Sequence, residues 1–216
     1  MISNLPLIDI LQVRPEFETY VELTEKILND HDYAASESNN TDLDNFEPYI
    51  NARRLMVDEV PEILEWYQSN YSLCKSKELE SVSQTIDKIG VKPAVGQIVF
   101  HGGTLPIDSE TSSFTTTRPL STSLSPAKAR NNALDRQKAF DRGELNIYII
   151  EILKPDTNIF LFPYTKDGYD EKEVLFAAGL ELKYIEKSEV TKVTVYNCDA
   201  TNTKEIPFNI ITLKVQ

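Results

Sequence analysis

At Val91 the texture of this 216-residue chain changes, and that change restricts its possible folds more than any other feature. Before it, apolar residues recur at helical spacing; after it, they come in short β-branched and aromatic runs. From about Glu16 to Asn29, the residues Phe17, Tyr20, Val21, Leu23, Ile27 and Leu28 recur with a period of about 3.6 among acids, which predicts an amphipathic helix. Ala34 to Asn45, rich in Ser, Asn and Asp, predicts a polar loop. A second helical stretch begins at Tyr49-Ile-Asn-Ala-Arg-Arg-Leu, and Pro61 opens a third from a suitable first-turn position. Lys75 to Ile89 predicts a fourth, with Leu79, Val82, Ile86 and Ile89 on one side.

Beyond Val91 the runs are Gln97-Ile-Val-Phe, Leu145 to Leu153, Asn158 to Phe162, Glu173-Val-Leu-Phe, Glu181 to Ile185, Val190 to Tyr196 and Phe208 to Val215. Strands without long helices between them predict an antiparallel, sandwich-like half. One helix interrupts it, from Pro126 to Asp141, because Ala127, Ala129, Ala133, Leu134 and Ala139 favour a helix and proline suits its start. The expected class is α+β, with a helical N-terminal lobe over 1–90 and a two-sheet β-sandwich over 91–216, forming one compact unit.

The formal net charge of -12 repels phosphate backbones and anionic membranes, so nucleic acid is disfavoured as a partner and basic partners are favoured. Cys74 and Cys198 lie far apart, which argues against a disulfide framework and fits a reducing, cytoplasmic setting. No apolar run approaches the roughly 18 residues of a membrane span, and the N-terminus lacks a signal-peptide pattern. A delivery route that needs no such signal stays open. There is no metal-ligand cluster, phosphate loop or nucleophile elbow, so no metal is expected. Nothing in the sequence specifies an oligomeric state.

Three stretches carry candidate chemistry. In Val99-Phe-His101-Gly102-Gly103, glycine lets backbone approach a ligand and His101 can donate or accept a hydrogen bond; the alternative is a strand end with a surface histidine. In Phe114-Thr-Thr-Thr-Arg118-Pro-Leu-Ser121-Thr122-Ser123-Leu-Ser-Pro, strand alternation puts Ser121 and Ser123 on one face and Thr122 on the other, so one face can present hydroxyls; the alternative is an edge strand leading into a helix. In Gly168-Tyr-Asp-Glu171-Lys-Glu173-Val-Leu-Phe, the same alternation aims both carboxylates one way. They repel each other unless a cation sits between them, and a substrate can be that cation. The alternative is the wet face of an edge strand.

In this order and spacing, the three stretches resemble the arginine-serine-glutamate class of mono-ADP-ribosyltransferases, which includes bacterial toxins, phage enzymes and vertebrate ecto-enzymes. The resemblance covers about Gln97 to Val215; Tyr49-Ile-Asn-Ala-Arg-Arg-Leu also resembles a helical segment before the core of such enzymes. It implies two facing sheets with NAD as co-substrate in the cleft between them. It further implies that Ser121, Thr122 and Ser123 support the NAD pocket, with Ser121 counted among the catalytic residues. Glu173 would stabilise the cation that develops as nicotinamide leaves, and Glu171 would engage an arginine of a target protein. Tyr164 and Tyr169, before the glutamates, are candidates to stack on a guanidinium.

His101 departs from the resemblance, since the class usually carries arginine there to brace NAD. Either His101, with Gly102, hydrogen-bonds the ribose or nicotinamide side, or another cation takes the phosphates, or NAD binding is weakened. Arg118, Arg130, Arg136 and Arg142 are the candidate cations. The implied activity is that of a phage or bacterial effector acting in a host cytoplasm. The alternatives are a non-catalytic binding module with the same fold and a transferase acting on nucleic acid.

Overall fold

The computed structural model describes residues 4–163 and 171–216, the side chain of Arg136 excepted; Tyr164, Tyr169 and the Gly168-Tyr-Asp turn lie outside the described residues. Among the described residues before Val91, the regular structure is helical, mostly from Tyr20 onward. Helix α1 (Tyr20–Asn29) starts at a capping box in which Thr19 accepts from the Glu22 backbone and Glu22 reaches back, and it buries Leu23, Ile27 and Leu28.

The expected loop from Ala34 is instead helix α2 (His31–Ser38) followed by a 3-10 turn over Asp42–Asn45. Asp30 caps the helix by accepting from the Tyr33 amide, and the polar composition reflects its exposed faces. Its one buried acid, Glu37, is gripped on both oxygens by Arg14, at 2.8 and 2.9 Å; Arg14 also donates to Asp42 at 2.7 Å. Helices α3 (Glu47–Arg54), α4 (Glu62–Asn70) and α5 (Ser76–Ile89) follow near their expected places.

The strands are β1 (Ile98–Gly102), β2 (Ser113–Thr115), β3 (Leu120–Ser123), β4 (Leu145–Ile152), β5 (Ile159–Leu161), β6 (Glu173–Phe176), β7 (Glu181–Tyr196) and β8 (Thr203–Val215). The two runs expected around Glu181 and Val190 are one strand, β7, which pairs with β8 through two register shifts. The single helix expected from Pro126 is broken into α6 (Pro126–Leu134) and α7 (Lys138–Arg142), where Gln137 takes φ 53°.

Hydrogen bonds link the strands as one eight-stranded ladder, β2-β7-β8-β4-β1-β3-β6-β5, where two separate sheets were expected. At its middle the ladder is thin, because β1 and β3 share a single register pair, Phe100 with Ser123. The half is also not purely antiparallel, since β4 and β8 run parallel over eight paired positions, Leu145 with Phe208 through Ile152 with Val215. Three strands separate them in sequence, enough chain to bring β8 back in the direction of β4. Covered on both faces, β4 is buried along nearly its whole length.

One apolar cluster runs from Leu5 through Val215 and takes side chains from both the helices and the strands. Gln97 ties the N-terminal segment to this core, accepting from the Ile8 amide and donating to the Ile8 carbonyl, both at 2.9 Å. Among the described residues no helix is long and apolar enough to cross a membrane, and no group of three or more His, Cys, Asp or Glu is placed to hold a metal ion.

Candidate active site

Strand β3 pairs with β6 in a register that sets Ser123 opposite Glu173 and Ser121 opposite Leu175. Glu173, the first residue of β6, is 5% exposed, and each of its carboxylate oxygens accepts a hydrogen bond. Ser121 Oγ donates to Oε1 at 2.6 Å, and Gln68 Nε2, on α4, donates to Oε2. Burial pushes the Glu173 pKa up to about 7; Ser121 and Gln68 pull against that rise, and the charge of Glu171 adds to it. A carboxylate so held is balanced near neutrality, a usual mark of a functional group.

Glu171 is exposed and enters the same cleft, though not by strand alternation as the sequence suggested. The strand begins only at Glu173, and Lys172 takes a left-handed backbone with φ 49°. The two carboxylates reach one cleft through a turn, while Lys172 is buried on another side and pairs with Asp44. Ser123 does not line the cleft: its hydroxyl donates to the Glu171 carbonyl at 2.7 Å and accepts from the Ser125 amide at 3.0 Å. Thr122 lines the wall, yet its hydroxyl donates to the Val174 carbonyl at 2.7 Å. Of the Ser-Thr-Ser run, only Ser121 offers its hydroxyl to the carboxylate.

His101 also lines the cleft, with Nδ1 2.7 Å from the Ser121 carbonyl. A carbonyl only accepts, so Nδ1 carries the proton and a neutral ring leaves Nε2 as an acceptor. Burial lowers the His101 pKa, the Ser121 contact raises it, and the charge of Lys138 lowers it further. The neutral ring thus supplies no charge for a phosphate and instead stitches β1 to β3 where the ladder is thinnest.

Gly102 lines the cleft, and the space a side chain would need there is filled by protein. A Cβ there would lie 1.6 Å from the Ala129 carbonyl oxygen, so the glycine lets α6 sit directly on β1.

Two cations line the cleft among the described residues, Arg118, one of the four candidate cations, and Lys138, which the sequence did not single out. Arg118 Nη2 donates to the Tyr71 carbonyl; Lys138 Nζ lies 5.3 Å from the Tyr71 ring centroid and donates to the Asn132 carbonyl at 3.1 Å. Arg130 is buried and Arg142 exposed, and neither lines the cleft; the side chain of Arg136 lies outside the described residues. Sequence reasoning also missed Tyr67 and Gln68. Tyr67 donates to the Pro119 carbonyl at 2.9 Å, bracing the start of β3, and Gln68 lies 105 positions from the carboxylate it binds. The helical pattern after Pro61 marks their helix but not its partner.

The cleft encloses about 560 Å³, within the range of sites for small molecules and cofactors. It combines the buried Glu173, whose pKa is raised, the exposed carboxylates of Glu171 and Asp135, two cations, of which Lys138 lies 3.8 Å from Asp135, and the Tyr67 and Tyr71 rings. Such a site can stabilise positive charge at one point and hold negative charge at another.

No family model matches the sequence, and no curated protein does. Among solved structures, the chain is similar to Vis, an ADP-ribosyltransferase toxin from Vibrio splendidus, at 12% identity over 97% of this chain and 90% of that one, with a TM-score of 0.44. It is similar to the enzymatic component C2-I of the C2 toxin of Clostridium botulinum at 12% identity over 87% of this chain, with a TM-score of 0.38; it spans only 46% of that chain. Exoenzyme S of Pseudomonas aeruginosa, solved bound to Carba-NAD, matches at 11% identity over 89% of this chain and 87% of that one, with a TM-score of 0.40. These likenesses are loose, and by themselves they assign this chain no activity.

Proposed function

We propose that this chain is an NAD-dependent mono-ADP-ribosyltransferase that moves ADP-ribose to an arginine of a target protein and releases nicotinamide. One observation carries the reading: a buried Glu173 bonded to Ser121 in a cleft that Glu171 also enters. Breaking the bond between nicotinamide and ribose builds oxocarbenium-like positive charge, and a fixed carboxylate beside it lowers the barrier. Glu173 is the carboxylate fixed for that task, because Ser121 and Gln68 orient it and hold part of it ionised.

Arginine is a poor nucleophile while protonated, its pKa being above about 12. Glu171, exposed at the cleft, orients the guanidinium and takes the proton it loses as its nitrogen bonds to the ribose carbon. With His101 neutral and turned to Ser121, Arg118 and Lys138 are the positive groups available to the diphosphate. The thin join between β1 and β3 supports reading the five strands on one side and the three on the other as two walls of an NAD cleft, with the helical lobe, 1–90, acting with the core, 91–216, as one unit. An effector delivered into a host cytoplasm is the setting that fits this activity.

Incubation with labelled NAD and candidate acceptor proteins tests the reading. For Glu171→Gln the expected outcome is loss of arginine labelling by about 100-fold, with NAD hydrolysis retained to within about tenfold. Equal loss of both would remove the acceptor role of Glu171. The second reading, a non-catalytic binding module, is favoured by His101, which commits Nδ1–H to the Ser121 carbonyl and, being neutral, carries no charge to offer a phosphate. Calorimetry with NAD separates the two, since absence of both binding and hydrolysis in the wild type would select the module.

A further inference from the structure

Between the two carboxylates stands a residue with two features that are each unfavourable alone. Lys172 holds a left-handed backbone, φ 49°, which side chains other than glycine adopt only where the surroundings over-determine it. Its ammonium is also buried, at 4% exposure, where a charge must be paired. Both features are met by the helical lobe. Lys172 Nζ pairs with Asp44 in the 3-10 turn over Asp42–Asn45 and lies 5.2 Å from the ring centroid of the buried Tyr49 on α3. Asp44 is itself on a fixed footing, because the neighbouring Asp42 is held at 2.7 Å by Arg14, which grips Glu37.

We infer that Lys172 is a positioning residue for the catalytic turn: its ion pair with Asp44 holds the left-handed backbone and thereby sets where Glu171 and Glu173 point. The turn's three successive carbonyls are each fixed from the core, at Glu171 by Ser123 Oγ (2.7 Å), at Lys172 by the Leu124 amide (3.0 Å) and at Glu173 by the Phe162 amide (3.0 Å). These bonds fix the path of the chain. The side-chain pair adds a tether to the lobe on the far side from the cleft, opposite the one Gln68 makes within it. Because neither member of the pair lines the cleft, its loss would misaim the two carboxylates while leaving the rest of the cleft lining in place.

This inference rests on the proposed activity, and its test separates the two. Removing one partner of a buried ion pair endangers the fold, whereas replacing both with apolar residues of similar size commonly does not. The double variant K172M/D44L is therefore compared with wild type, alongside Lys172→Gly, which suits the backbone but lacks the charge. In both, kcat for NAD consumption is expected to fall at least about tenfold, with KM for NAD within about threefold of wild type. Lys172→Arg should recover most of the rate. In parallel, hydrogen exchange at the Leu124 amide should accelerate about tenfold in the double variant, with amides of the β1–β4 pair unchanged. A folded double variant with wild-type kcat, or with unchanged protection at Leu124, overturns the inference. If the wild type consumes no NAD, the proposed function falls, and the exchange result alone decides the role of Lys172.

Discussion

Glu173→Gln is expected to cut nicotinamide release by at least ~100-fold and, in the same protein, to stabilise the unliganded fold at pH 8 by on the order of 3 kcal/mol. The kinetic half follows from removing the fixed negative charge that meets the developing cation. The stability half follows from linkage. Burial raises the Glu173 pKa from 4.5 to about 7. Below the lower value the folded and unfolded states are both protonated and nothing is lost. Between the two values the unfolded chain releases the proton while the folded chain keeps it, so stability falls as pH rises. Above about 7 the full cost is present, roughly 1.4 kcal/mol for each unit of the shift. Glutamine never ionises and can still meet Ser121 and Gln68. Denaturant unfolding of both proteins at pH 4 and pH 8 checks this: the gap should be small at pH 4 and open at pH 8. A gap that does not widen with pH would mean that burial does not strain the carboxylate. The same pKa predicts an acid limb near pH 7 in kcat/KM, with activity rising as Glu173 ionises.

Gly102→Ala is the substitution expected to damage the fold most. The added carbon would meet backbone, lying 1.6 Å from the Ala129 oxygen, 2.5 Å from its carbonyl carbon and 3.1 Å from the Ala133 nitrogen. None of these can swing aside as a side chain does, so α6 and β1 must separate along their contact. A loss of about 3 kcal/mol or more is expected, the upper end of the range for overpacking. Gly143→Ala is the control: its φ of 76° costs about 1 kcal/mol in backbone strain, but it faces open space. Equal losses in the two variants, measured by denaturant unfolding, would show that α6 is not seated on β1 as described.

The division of the chain near Val91 could be read from its periodicity, because α1 and α5 each show the core one face and β4 and β8 are dense in branched apolar residues. The order of Ser121 before Glu173 was visible too, and β3–β6 pairing brings the two into contact. What could not be read depends on partners far away in sequence. Gln68 meets Glu173 across 105 positions, and Lys172 meets Asp44 across 128, so no local pattern marks either. A lysine between two glutamates looks like a solvated residue until the 3-10 turn that receives it is known. That turn was itself hidden, because it buries only Leu43 and the short capped helix before it only Ala34 and Glu37, so both have a loop's composition. The parallel pairing of β4 with β8 was obscured in the same way, since each strand reads alike in either direction.

The position of β8 in the ladder has a consequence for synthesis. Late in the chain, β8 lies between β7 and β4, so β7 and β2 cannot join the remaining strands until it is in place. The helical lobe, by contrast, leaves the ribosome early; at about 5–20 residues per second, Gln68 emerges on the order of 5–20 s before Glu173. Its short-range helices can form in that interval. The acidic turn therefore emerges after the helix that carries Gln68, while the ladder stays incomplete on one flank until residue 215 is out. A nascent chain halted before then would carry both glutamates and no assembled site.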